Sequence, residues 1–195
     1  MRYVSQALLA LMALAATACE SSVYSVTQDR LYSPARAHFA VGGKYLRTYI
    51  GGNPFGTPQE PFNEMIIDDM RRGMFRVDTG LRRRPKFTID SAIPDDAGSR
   101  PDYWVALALN PAAGLDAAAL CADPKNIAVS GAAADGKIEA RMVFCYDGRV
   151  LSTTHGELEG AVDQNDPRFH GMIAVMTREL FPFRRFRDAF NDGLI

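Results

Sequence analysis

The stretch KIEARMVFCY-DG-RVLSTTHGEL, residues 137–158, constrains this chain more than any other. Asp147-Gly148 sits between two runs of strand-forming residues. A two-residue turn of type I′ needs positive φ at both positions, and Asp-Gly is among the pairs that tolerate it best. The turn sets the register, so facing residues are expected to carry numbers summing to 295. Phe144 then faces Leu151, and Met142 faces Thr153, on one side with Ile138. Glu139, Arg141, Val143 and Cys145 point to the other, wetter side, beside Val150 and Ser152. Cys145 is thereby placed away from the main core, where a loop carrying Cys121 could cross that face and be joined to it.

The rest of the chain supplies partners for this hairpin. KYLRTYI (Lys44 to Ile50) and KFTI (Lys86 to Ile89) have strand composition. YWVALAL (Tyr103 to Leu109) is almost wholly apolar and belongs in the middle of a sheet. LDAAALCA (Leu115 to Ala122) reads as a short helical turn, and Ile127 to Val129 as a short strand. Two longer helices are expected. The first is capped by Thr57 with Pro58 at its first position and Glu60 completing the box; it buries Phe62, Met65, Ile66 and Met70 and ends at Gly73. The second starts at Asp166-Pro167, buries Phe169, Met172, Ile173, Met176 and Leu180, and stops at Pro182. Neighbouring strands on short loops predict an α+β fold: an antiparallel or mixed sheet of about five strands with two main helices packed on one face.

Composition permits such a core. Apolar residues make up 47% and charged residues 23% of the 195 positions, and the net charge is −1. That balance gives no general attraction to nucleic acid.

At the amino terminus, Arg2 precedes the apolar run Ala7 to Ala16, then Ala16, Thr17, Ala18 and Cys19. The run is well short of the ~20 residues that span a bilayer as a helix. It has the form of a secretion signal, residues 1–18. The stretch resembles the lipobox of bacterial lipoproteins, with Ala16 where that family most often carries leucine. The resemblance implies an acylated Cys19 as the new amino terminus and a bacterial cell envelope as the address. An ordinary signal peptidase would cut the same bond. Glu20, in place of the aspartate that retains enteric lipoproteins in the inner membrane, favours the outer membrane, facing the periplasm. Residues 19–37, polar and with Pro34, read as a tether that lets a single domain, residues 38–195, stand off the membrane.

The cysteine count bears on the choice between the two peptidases. The chain has three, and an odd thiol is a liability in an oxidising compartment. With lipid on Cys19, Cys121 and Cys145 remain as a pair for a structural disulfide.

Sites for chemistry are harder to find. The glycine-rich turn YIGGNPFGTPQEPF (Tyr49 to Phe62) has neither phosphate-loop spacing nor free donors, since Pro54, Pro58 and Pro61 remove three N–H groups. It reads as a tight connection with Phe55 packed on the core. His38, His155 and His170 are scattered, and Asp68-Asp69 point different ways on a helix. No metal, cofactor or nucleophile pattern is present. In the last segment Phe183, Phe186 and Phe190 recur at helical spacing among Arg184, Arg185 and Arg187. That pattern suits a partner groove or an anionic membrane as well as a latch onto the domain itself. The expectation is a lipid-anchored envelope protein with a structural or adaptor role and possible protein partners. A carrier of a small molecule or lipid is the alternative, and an uncharacterised enzyme the third.

Overall fold

The computed structural model describes residues 22–28, 32–42, 45–75, 86–89, 93, 100–131, 136–160 and 163–181. Its strands are β1 (Ser22–Gln28), β2 (Leu46–Gly51), β3 (Phe87–Ile89), β4 (Tyr103–Leu109), β5 (Lys137–Tyr146) and β6 (Arg149–Glu159). Its helices are α1 (Pro34–Val41), α2 (Gln59–Phe75), α3 (Ala117–Ala122) and α4 (Pro167–Leu180). The strands form one mixed sheet in the order β1-β6-β5-β4-β2-β3. β2 runs parallel to both β3 and β4, and the other pairs are antiparallel. The α+β fold expected from the element order is the observed one.

β4 is central because its side chains have apolar partners on both faces. Val105, Leu107 and Leu109 enter the main core, while Ala106 and Ala108 enter a smaller cluster behind the sheet. The main core lies under α1, α2 and α4. From α4 it takes Phe169, Met172, Ile173, Met176 and Leu180, the stripe expected, each at most 1% exposed. Phe62, Ile66 and Met70 of α2 are buried as expected, and Met65 is partly so. Each fully buried side chain of this size contributes about 1.5–3 kcal/mol of transfer free energy.

Asp147 and Gly148 both take positive φ, 48° and 74°, and close the expected turn. The register departs from expectation two residues further on. Tyr146 faces Arg149 and Cys145 faces Val150, but Phe144 faces Ser152 and Met142 faces Thr154. A bulge inserts Leu151 here. Leu151 and Leu158 lie seven positions apart, so an unbroken period-two strand would send them to opposite faces. One extra residue brings both into the main core. Ser152 is consequently on the helix side, where its hydroxyl donates to the Leu180 carbonyl at 2.6 Å.

Four other expectations are corrected. Ser22–Gln28, inside the stretch read as a tether, pairs along β6 as an edge strand. Its run of Val, Tyr, Val and Thr has strand composition, and pairing covers the hydrogen-bonding groups β6 would otherwise leave open. The end of that stretch is helical: Pro34 opens α1, and the Ser33 hydroxyl accepts from Arg36 N–H at 3.2 Å. Ile127 to Val129 forms only an isolated bridge, Val129 to Pro111, since proline cannot donate to a ladder.

The fourth concerns Gly73, which does not end α2. The helix continues to Phe75, and Gly73 sits where α2 meets α4, so that a Cβ there would run into the backbone of Ala174. Helix propensity alone would have Gly73→Ala stabilise the protein by about 0.5–1 kcal/mol. The close approach reverses the sign, and a loss of about 1–3 kcal/mol is expected in urea unfolding. A gain in stability would contradict this packing.

Candidate functional site

Two of the features singled out in the sequence, Cys19 and the segment Phe183, Arg184, Arg185, Phe186, Arg187 and Phe190, lie outside the described residues. The third is described. Cys121, near the end of α3, and Cys145, on β5, lie at disulfide distance, with Cα atoms 5.6 Å apart. Helix α3 starts where the Asp116 carboxylate accepts from Ala119 N–H at 2.7 Å. Arg141 reaches over from β5 to the Leu115 carbonyl. Together they hold the helix across the sheet face away from the main core, the face on which the hairpin pattern allowed a segment carrying Cys121 to cross. Both cysteines are wholly buried among Ala106, Ala108, Leu120 and Val143, with Trp104 and Val150 at the edge. This is the setting of a structural cross-link rather than of an accessible redox pair.

The glycine-rich turn behaves as a connection. Gly52 takes φ +86° and passes directly against the Leu109 carbonyl. The Asn53 amide donates to the Thr57 carbonyl at 2.7 Å, and its oxygen accepts from Phe55 N–H at 3.1 Å. Phe55 packs on the core, edge-on to Phe169 at 5.1 Å.

The structure also assembles a cluster that sequence reading missed. Asp69, wholly buried on α2, faces His170 on α4, with Nδ1 to carboxylate oxygen 2.7 Å. Arg72, one turn along α2, pairs with the same carboxylate. Arg72 and His170 border a groove of about 490 Å³ between the helices, lined also by Gly73, Gly171, Ala174, Val175 and Arg178, with Asp69 buried behind them. Asp68 and Asp69 do diverge: Asp68 is in solvent, paired to Arg71 at 2.9 Å. The clue to the cluster was present, since Asp69 stands one position before Met70 on the apolar side of α2. A polar residue there requires a buried partner, but its identity follows only from the crossing of two helices 101 positions apart in sequence.

Burial holds the His170 pKa below the ordinary imidazole value; the Arg72 charge adds to this and Asp166 opposes it. The Asp69 carboxylate is shared with Arg72, which offsets its pull on the ring. The neutral ring donates Nδ1–H to Asp69 at neutral pH. On acidification the unfolded chain takes up this proton first, near the usual 6.5. Stability is therefore lost as pH falls from 6.5 toward the lower folded value, and the loss levels off below it. Chemical unfolding between pH 7.5 and 5 should show a steeper loss for the wild type than for His170→Gln. Equal slopes would contradict the assignment.

On the opposite sheet face Lys137 bridges Glu139 and Glu157 at 3.1 and 3.2 Å, and His155 meets Glu157 at 3.2 Å. Hydrogen bonds from His155 and then Lys137 hold the Glu157 pKa below its ordinary value. Only Lys137–Glu157 crosses between strands; the other two pairs lie along β5 and β6, and all are partly solvated. Among the described residues no group of three His, Cys, Asp or Glu side chains is placed to hold a metal. No described helix is long and apolar enough to cross a membrane.

No protein-family profile matches the chain, and no curated protein does. Solved structures similar to it include a point-variant PelC dodecamer from Paraburkholderia phytofirmans. That chain is 11% identical, aligns over 85% of this chain and 100% of its own length, and has a TM-score of 0.45. A second PelC dodecamer from the same organism has the same identity and coverage and a TM-score of 0.43.

Proposed function

We propose that this chain is a lipid-anchored protein of a bacterial cell envelope, held by acylated Cys19 at the periplasmic face of a membrane, outer rather than inner. Its role is structural or adaptor, without catalysis. One observation carries the reading: the placement of Cys121 against Cys145 uses two of the three cysteines and leaves Cys19, directly after the apolar run, as the odd one. A disulfide persists in an oxidising compartment, and an unmodified third thiol would be exposed there to mispairing. Two or more acyl chains on that cysteine give stable anchoring where one would not.

The interior supports the adaptor over the lipid carrier. Between sheet and helices the volume is filled by Phe62, Phe144, Phe169 and Ile138, all at most 1% exposed. The groove between α2 and α4 favours a second reading. Arg72, His170 and Arg178 converge there, which suits a small anionic ligand. Affinity purification of the lipoprotein from detergent-solubilised membranes separates the two. A protein partner lost on deleting residues 183–195 supports the adaptor, whereas a co-purified anion or lipid without a partner supports the carrier.

A further inference from the structure

The lipid anchor, taken as proposed above, also sets how the domain stands on its membrane. The chain enters the sheet almost directly after the anchor position. Ser22 is already paired with Glu157 on β6. Two residues lie between it and Cys19, and the three extended Cα steps cover at most about 11 Å. The long tether expected from the sequence is thus absent at its near end, and Ser22 is pinned close to the bilayer surface.

The pairing also says which end of the sheet this is. Ser22 and Glu157 lie toward Leu109, Lys137 and Glu159, because Leu109 pairs with Ala140, and Lys137 with Glu159. Tyr103 pairs with Tyr146 at the other end, beside the Asp147-Gly148 turn. Along β6, nine residues at ~3.3 Å each place that turn about 30 Å from the residue facing Ser22. A body pivoting on its Ser22 end can tilt freely away from the membrane, but tilting the other way drives the hairpin into the bilayer. Excluded volume therefore biases the whole orientational average toward a raised hairpin.

We infer that the Ser22–Leu109–Glu159 end of the sheet faces the bilayer, and that the hairpin end projects into the periplasm. The projecting end carries Phe39, the one large hydrophobic exposed among the described residues, at 52%, with the Arg100 guanidinium 4.1 Å above its ring. Arg36 lies over Tyr146 beside it, 5.2 Å from the ring centre. On this orientation that aromatic and basic surface is turned to periplasmic components and away from lipid.

The test uses the full lipoprotein in vesicles of phosphatidylethanolamine and phosphatidylglycerol containing a rhodamine-labelled lipid as energy-transfer acceptor. A donor dye is placed on Glu159→Cys or on Arg149→Cys, both exposed positions of β6. Strong transfer from position 159 and at least twofold weaker transfer from 149 is the expected result. Equal transfer, or stronger transfer from 149, overturns the orientation. Flotation of the same samples is scored separately. A wild-type protein that does not float with the vesicles overturns the anchor, and the orientation with it. Floating protein with equal transfer overturns the orientation alone.

Discussion

Phe169→Ala should cost the domain about 3–5 kcal/mol, the largest loss expected of any single substitution here. Phe169 is wholly buried at the first turn of α4, where three elements meet. Its ring stands at 90° to Phe55, 5.1 Å away, and packs against Phe62 on α2 at 6.4 Å. Truncation removes the ring's transfer free energy and its edge-on contact. It also leaves a cavity that the α2–α4 crossing at Gly73 cannot close, because the helices there are already in backbone contact. Against a total stability of about 5–15 kcal/mol, such a loss leaves the variant marginal. Urea unfolding should show the drop in midpoint, and a loss under about 1 kcal/mol would mean that this is not the centre of the core.

Removing the Cys121–Cys145 cross-link should have the next largest effect. The two positions are 24 apart, and a closed loop of that length stabilises by about 3 kcal/mol through restriction of the unfolded chain. The double variant Cys121→Ala/Cys145→Ala should unfold about 3 kcal/mol more easily than the oxidised protein and be indifferent to reductant. Wild-type protein treated with reductant under denaturing conditions should fall to the same stability. A wild type unaffected by reductant would show the two thiols to be unlinked in solution.

Much of the fold could be read from local pattern. The Asp-Gly turn, the Asp166-Pro167 helix start and the α4 stripe each depend on residues within one or two turns of each other, and each is found. The failures share a cause. The bulge at Leu151 arises from competition between Leu151 and Leu158 for one core, which the turn alone cannot reveal. β1 was hidden because its Val, Tyr, Val and Thr sit in an otherwise polar stretch and its justification is the open edge of a strand distant in sequence. Gly73 had the form of a helix stop, yet its small size serves the approach of α4. The Asp69–His170 cluster was missed for the same reason, since neither residue signals anything until two helices cross. Local signals specify elements; contacts between elements decide which of the ambiguous ones carry function.

Acylation of Cys19 is the step on which the proposed membrane attachment depends. Intact mass measurement of the mature protein, extracted from the membranes of a bacterium that expresses the full chain, tests it most directly. The expected result is an amino-terminal cysteine at position 19 with the added mass of a diacylglyceryl group, with or without a further acyl chain. A mature protein that begins at Cys19 with a bare thiol, recovered from the soluble fraction, would contradict it.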